Sequence, residues 1–472
     1  MGNAISKHRL ASDILSKVRW LFFVFSALVF AAVFLTDSPH LILAGLLGLA
    51  IVAWAALSVE RLFLMVLLYI YFLPNYSAYE RYSFFPYYAR TDLLIMSLAF
   101  FALIWWLGKL YDQWPPHKSS LFDLILVGLL IWTCFMFLWG NANGHSLKAS
   151  TTDAVLLSLF FAYFPIRFMN ITVPALHRMW LILSWAAVLV SIEYAFLTFS
   201  EEGISDMIIR RVSTQQPHVA QLALPYFFGF FFFPNSLRKR LLAFAAILIL
   251  FSMVFLSQQR ALWVTSVFSI FLFWGIGQIR KGIGLQHILR FAGFSISALL
   301  LIALLLFLID RFYAGNALAT FLWRISSFEN LARDESLIIR ITEIKRALSQ
   351  WSNNVFFGTG LGATIEPITL KHWSPYLVDN SYAYVLWKMG IIGLILFSAV
   401  IMLPLYRGMR LFVRLKNANN AHLIGALLSG WIGLLIIALT NTCLVRYFYI
   451  ILWAFLFATI EIMNEKTLHE KS

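Results

Sequence analysis

Apolar runs long enough to cross a bilayer recur from one end of the chain to the other, and this recurrence constrains the fold more than any other feature. A spanning helix needs about 20 predominantly apolar residues. By that measure the sequence predicts about 14 spans. They run approximately Trp20–Thr36, Leu41–Ser58, Leu62–Ser77, Leu93–Leu110, Leu121–Trp139, Ala154–Phe168, Leu176–Phe199, Pro217–Pro234, Leu241–Leu256, Ala261–Ile279, Phe291–Ile309, Tyr382–Tyr406, His422–Thr440 and Tyr447–Met463. Several are short, so the expected total is roughly 11–14 transmembrane helices. Each segment must satisfy its own backbone in lipid, and no alternating barrel pattern accompanies the runs. The predicted fold is an all-α polytopic membrane protein. Composition agrees: 61% of the 472 residues are hydrophobic and 12% charged, against about 45–50% and about 25% in soluble domains. A soluble enzyme, a secreted domain and a nucleic-acid reader are excluded despite the net charge of +14, because no soluble surface can be covered from this composition. Cys134 and Cys443 make no disulfide framework and read as packed free thiols.

Lysine and arginine set the orientation. With Lys7, Arg9, Lys17 and Arg19 in the cytoplasm and alternating connections, the same side receives Arg61, Lys109, Lys118, Arg167, Arg178, Arg238, Lys239, Arg240, Arg280, Lys281 and Arg290. It also receives Arg407, Arg410, Arg414, Lys416, Lys466 and Lys471. The opposite short connections hold Arg81, Arg90, Lys148, Arg210, Arg211, Arg260 and Arg446. The bias is about threefold and puts both termini in the cytoplasm. The expected organisation is a cytoplasmic N-terminus (1–19), transmembrane helices 1–11 (20–309), one large extracytoplasmic loop domain (310–380), transmembrane helices 12–14 (381–463) and a cytoplasmic tail (464–472). The loop is itself basic, but long loops cross regardless of charge. No internal repeat relates two halves, which weighs against a transporter or a lipid-linked oligosaccharide flippase.

The loop has internal order. Leu337, Ile338, Ile341, Ile344, Leu348 and Trp351 recur at helical spacing and predict an amphipathic helix over Glu335–Trp351. Phe357-Gly358-Thr359-Gly360-Leu361-Gly362 then predicts a turn with positive φ or close backbone approach. Arg210, Arg211 and Arg260 stand at outer helix ends. Arg260 has almost no loop to escape into, and an arginine held there faces the bundle interior and binds an anion. Asp379 lies at the outer end of the twelfth span, and Glu193 inside the seventh, where a carboxylate is costly and functional or paired. The planar guanidinium fork suits phosphate. Transfer of a sugar chain from a lipid diphosphate needs cations to neutralise the leaving group and an acceptor for the attacking hydroxyl's proton. No aspartate pair with metal-ligand spacing appears outside, so the cations stand where a metal would otherwise act.

At these residues the sequence resembles the bacterial O-antigen ligase and O-antigen polymerase superfamily of inner-membrane glycosyltransferases. Three stretches carry the resemblance: Ser257-Gln258-Gln259-Arg260-Ala261-Leu262-Trp263, Arg340 through Gly362, and Asp379-Asn380-Ser381-Tyr382 followed by Lys388-Met389-Gly390-Ile391-Ile392-Gly393. It covers roughly Arg210 to Arg446. It implies a GT-C-like bundle, extracytoplasmic chemistry at the inner membrane, an undecaprenyl-diphosphate-linked glycan donor, a glycan or lipid A core acceptor, and no cofactor, metal or nucleic acid. A chain-length regulator is a further partner compatible with this reading. Arg211 or Arg210 and Arg260 would grip the diphosphate, Arg340 would support the site, and Asn380 and Tyr382 would line it. Family ligases carry histidine where this chain has Asp379. That tilts the reading to a repeat-unit polymerase, with ligase as the alternative, and leaves Asp379 or His372 as the base.

Overall fold

A computed structural model describes residues 91–110, 119–169, 171–209, 219–232, 236–257, 259–281, 335–366, 377–445 and 447–469, with isolated positions 61, 63, 64, 67, 68 and 293. The helices in order are α1 (Thr91–Leu110), α2 (Leu121–Ala142), α3 (Leu147–Ser158), α4 (Tyr163–Phe168), α5 (Val173–Ile209), α6 (Ala220–Phe232), α7 (Leu237–Leu256) and α8 (Arg260–Lys281). They continue with α9 (Glu335–Trp351), α10 (Ser381–Arg414), α11 (Ala418–Ile437) and α12 (Tyr447–His469). No strand occurs among the described residues. Six helical stretches there are long and apolar enough to cross a membrane. The fold is all-α and polytopic, as hydropathy predicts. The expected spans Trp20–Thr36, Leu41–Ser58 and Phe291–Ile309 lie outside the described residues, as does most of Leu62–Ser77.

The chain forms two compact units, residues 1–119 with 161–179 and residues 120–160 with 180–472. In the first, Trp105 of α1 meets Phe161, Phe164 and Phe168 edge-on at 6.1, 5.6 and 5.0 Å. The buried Arg167 donates to the Tyr163 hydroxyl at 3.0 Å.

The second unit is held by a set of long-range polar contacts. Its central feature is a break in α10. Gly390 has φ 67° and ψ −171°, so the helix is interrupted there. Gly393 serves close packing, its missing side chain admitting Trp132, but Gly390 serves a different purpose. A left-handed φ costs an L-residue roughly 1–2 kcal/mol, and a Cβ at Gly390 would strike the Phe356 carbonyl.

Carbonyls released by the break need partners, because lipid offers none. The glycine loop supplies them. Thr359 donates to the Trp387 carbonyl through its N–H at 2.9 Å and its hydroxyl at 3.1 Å. Gly360 N–H donates to the Lys388 carbonyl at 3.1 Å, and the Trp132 indole of α2 to the Met389 carbonyl at 3.1 Å. Beyond the break, Ile391 N–H donates to the Val355 carbonyl at 3.0 Å. Gly358, Gly360 and Gly362 all have positive φ, as the motif predicts. The approach is tight: a Cβ on Gly358 would lie 2.5 Å from Gly390 N, and one on Gly360 would lie 2.5 Å from Gly140 Cα of α2.

A buried ion pair locks the loop to the helices. Lys388 Nζ of α10 meets Asp153 Oδ2 of α3 at 2.5 Å, with side-chain exposures of 0% and 3%. The same carboxylate accepts from Gly362 N–H at 2.7 Å and from the Tyr384 hydroxyl at 2.7 Å. Fully hydrogen-bonded, the pair is tolerable; with either partner removed, a charge is left buried. Residues Ile391–Arg414 are about 36 Å long at 1.5 Å per residue, enough to cross a ~30 Å hydrocarbon core unaided. The half-helix Ser381–Met389 is thus not needed for crossing and is available to carry a site.

A polar seam joins α6, α8 and α11. Gln221 Nε2 donates to the Thr265 carbonyl at 2.7 Å and the Ser269 hydroxyl at 2.6 Å, while Ser266 donates to Gln221 Oε1 at 2.8 Å. Gly433 permits this closeness: a Cβ there would collide with both Gln221 and Ser269. At the far end of α10, Arg407 Nη1 donates to both oxygens of the buried Glu461 of α12 at 2.7 and 2.6 Å.

Two outcomes check this account in thermal unfolding of detergent-purified protein. Asp153→Leu alone is expected to cost about 3–5 kcal/mol by stranding Lys388, and Asp153→Leu with Lys388→Met to recover only part of that loss, because the Gly362 N–H and the Tyr384 hydroxyl still lack their acceptor. Gly390→Ala is expected to cost about 2 kcal/mol or more, the left-handed φ and the backbone collision adding together.

Candidate functional site

The site grows from the head of α10. Asn380 caps this helix: its Oδ1 accepts from Ala383 N–H at 2.8 Å, satisfying one of the donors a helix start leaves open. Its Nδ2 donates to the Leu439 carbonyl, just past the end of α11, at 2.8 Å. Ser381 N–H donates to the Ala438 carbonyl at 2.9 Å, and the Ser381 hydroxyl to the Asn441 carbonyl at 2.9 Å. Tyr382 donates through its hydroxyl to the Leu435 carbonyl at 3.0 Å. Asn380 and Tyr382 therefore fix the head of α10 to the end of α11.

Asp379 stands immediately before the cap. Its Oδ2 lies 3.3 Å from Arg340 Nε, with side-chain exposures of 31% and 24%, so the pair is reachable from outside. An ion pair this exposed adds only about 0–1 kcal/mol to stability. Its significance lies in placing a cation and a carboxylate side by side on separate elements. Asp379 N–H donates to Glu343 Oε2 at 3.2 Å. Glu343 is a buried carboxylate that the sequence reading missed. The available signal was its position three residues after Arg340, which puts both on one side of α9.

Helix α9 is held by the glycine loop. Arg346 Nη1 donates to the Glu366 carbonyl at 2.7 Å, Gln350 Nε2 to the Thr364 carbonyl at 3.1 Å, and the Trp387 indole to Gln350 Oε1 at 2.8 Å. Ala347, Ala363, Ile365, Val378, Ala383 and Trp387 form the apolar cluster beneath it. The loop that mends α10 thus also seats the helix carrying Arg340. The apolar stripe of α9 is only partly covered: Ile344 packs on the cluster beside the buried Glu343 and Ala347, whereas Ile338 and Ile341 are 48% and 43% exposed.

Arg260 is the first residue of α8, a few residues after α7 ends at Leu256 and turns at Ser257. That turn is internally braced. Ser257 donates through its hydroxyl to the Val254 carbonyl at 2.6 Å, and the Trp263 indole donates to the same carbonyl at 2.9 Å. Helices α8 and α11 pack antiparallel, Phe273 against Gly425 and Ser269 against Gly433. Arg260, half-buried, therefore lies at the end of the unit where α11 finishes and Asn380 is tied. Glu193 lies within α5. Arg210, Arg211 and His372 lie outside the described residues. Cys443 is buried as expected, its thiol donating to the Leu434 carbonyl at 3.5 Å, whereas Cys134 is exposed on α2 rather than packed, because it lies on the uncovered side of that helix. Among the described residues no group of three or more His, Cys, Asp or Glu is placed to share a metal ion.

Glu343→Leu is expected to speed amide exchange across residues 377–381 by about tenfold or more, because the Asp379 N–H loses its acceptor. Glu343→Gln, which keeps an acceptor oxygen, leaves exchange near the wild-type rate; deuterium uptake followed by mass spectrometry measures both.

No curated protein matches the sequence. Residues 245–398 match the family model described as O-Antigen ligase, and the matched segment holds Arg260, the Arg340–Asp379 pair and the glycine loop.

Proposed function

We propose that the protein is a glycosyltransferase that moves a lipid-diphosphate-linked oligosaccharide to an acceptor hydroxyl on the extracytoplasmic face of the inner membrane, as a repeat-unit polymerase. The observation that carries this reading is the Arg340–Asp379 pair at 3.3 Å, reachable by solute and lying within the segment that matches the family. The attacking hydroxyl oxygen forms a bond to the anomeric carbon as the bond from that carbon to the phosphate oxygen breaks. The hydroxyl proton passes to a carboxylate or imidazole, and the diphosphate leaves as an anion. Asp379 takes the first role and Arg340 and Arg260 the second, with Arg210 or Arg211 completing the cationic grip. Guanidinium donors aimed at a leaving diphosphate act mainly on the transition state, where the charge develops. His372 is the competing base, and Glu193 is a further candidate lining residue.

Ligase activity is the second reading, favoured by the description of the matching family. The donor expected from this reading is undecaprenyl-diphosphate-linked glycan. The acceptor is a growing glycan for a polymerase, or a lipid A core sugar for a ligase, and a chain-length regulator would serve only the polymerase.

Glycan profiling of a deletion strain carrying variants is the test. Arg260→Ala and Arg340→Ala are expected to lose about 100-fold or more of product while the protein remains inserted, and Arg260→Lys to restore only a small part, lacking the forked contact. Asp379→Asn abolishing product, with His372→Ala active, assigns the base to Asp379; the reverse assigns it to His372. A core capped by a single repeat marks polymerase loss, and an uncapped core with lipid-linked polymer marks ligase loss. Wild-type product from Arg260→Ala overturns the reading.

A further inference from the structure

The first turn of α7 carries three cations in succession. Ser236 opens the helix: its hydroxyl accepts from Lys239 N–H at 3.3 Å and its carbonyl from Arg240 N–H at 3.2 Å. Arg238, Lys239 and Arg240 follow, and no acidic residue stands in that turn with them. This is the wrong end of a helix for positive charge, because the backbone dipole is itself positive at the N-terminus. Arg414, in the last turn of α10, stands at a C-terminus, where the dipole favours it. The cations of α7 have no such local explanation.

All three side chains are exposed, and among the described residues none of them forms an ion pair. Arg240 lies over the Phe231 ring of α6, 5.3 Å from its centre. Leu237, Leu241 and Leu242, flanking the cations, are 70%, 59% and 46% exposed. From Leu241 to Leu256 the helix is apolar but for Ser252, so the charges stand where a membrane-crossing run begins. They lie at the end of the unit away from Asp379. His422, in the first turns of α11, donates to the Tyr226 carbonyl at 2.9 Å, and Gly430, further along α11, faces Leu222. Helix α6 therefore finishes beside the start of α11, whose other end is tied to Asn380.

We infer that Arg238, Lys239 and Arg240 bind the headgroups of anionic phospholipids, with Leu237, Leu241 and Leu242 against the acyl chains. The surface is complementary to a bilayer lipid in both charge and polarity: cations meet the phosphodiester, and the leucines below them meet hydrocarbon. Free phosphate matches the cations alone. A headgroup held there offsets the mutual repulsion of the three side chains and places negative charge at a helix N-terminus, where the dipole favours it. The stabilisation falls on the α6–α7 pair, and α6 carries Gln221 of the polar seam. The inference is independent of the proposed glycosyl transfer, and no bond is made or broken at this surface.

The test uses the full-length protein in detergent, with phosphatidylglycerol or phosphatidylcholine of the same acyl chains titrated in. Retained lipid is counted by native mass spectrometry and the unfolding midpoint is followed. Phosphatidylglycerol is expected to raise the midpoint by about 3 °C or more beyond phosphatidylcholine, an effect that added salt diminishes. Arg238→Gln, Lys239→Gln and Arg240→Gln are each expected to weaken phosphatidylglycerol retention by about fivefold, and the triple variant to lose the preference over phosphatidylcholine. The single variants keep two cations for membrane insertion and so report even where the triple variant does not insert. Arg410→Gln with Arg414→Gln, at the end of α10, is expected to retain phosphatidylglycerol within about twofold of wild type. Wild-type retention in all three single variants overturns the site. So does an equal loss in the Arg410 and Arg414 variant, which marks attraction to overall positive charge, and so does equal stabilisation by inorganic phosphate, which marks a site for free anions.

Discussion

Everything at the candidate site depends on how one interrupted helix is made whole. At Gly390 the chain leaves helical geometry, and the carbonyls of Trp387, Lys388 and Met389 are bonded from outside the helix. In a membrane protein such groups must be answered by protein. Here the answer comes from a loop whose glycines bring its backbone into contact with the helix, and from one indole on α2. Because the mending segment is the loop itself, the break determines where the loop sits and hence where α9 presents Arg340.

The Asp153 cluster extends that logic. One carboxylate accepts from Lys388 of α10, from Gly362 of the loop and from Tyr384, so three elements meet at a single buried charge. A buried ion pair is a weak source of net stability, since desolvation offsets the Coulomb gain. What the cluster supplies is selectivity of arrangement: any other seating of the loop takes the Gly362 N–H away from the buried Asp153 carboxylate. The exposed pair Arg340–Asp379 has the opposite character, adding little to stability and remaining open to an incoming anion or hydroxyl.

Much of this was legible in the sequence because bilayers impose a coarse, strong signal. The predicted span Leu121–Trp139 became α2 at Leu121–Ala142, and the predicted Glu335–Trp351 became α9 with the same bounds. Positive φ at Gly358, Gly360 and Gly362 followed from the spacing of residues without Cβ. What stayed hidden depends on contacts distant in sequence. Asp153 and Lys388 are 235 residues apart, and neither periodicity nor hydropathy pairs them. Gly390 looked like any packing glycine in an apolar run, since a single reversed φ leaves no periodic trace. The amphipathic pattern of α9 gave the helix but not the inward turn of Glu343, which holds the Asp379 backbone. Asp379 and Arg340 each stood out in the sequence, but that they form a pair became visible only once the loop was seated.

The central claim is the proposed one, that a diphosphate headgroup is bound by Arg260 and by the Arg340–Asp379 pair. The most direct measurement is photocrosslinking of a diazirine-bearing polyprenyl diphosphate to the protein in nanodiscs, with modified residues mapped by mass spectrometry. The account predicts adducts on the turn before α8, on α9 and on residues 377–382, with labelling competed by inorganic pyrophosphate. Adducts concentrated instead around Arg407, Arg410 and Arg414, at the opposite end of α10, would contradict it.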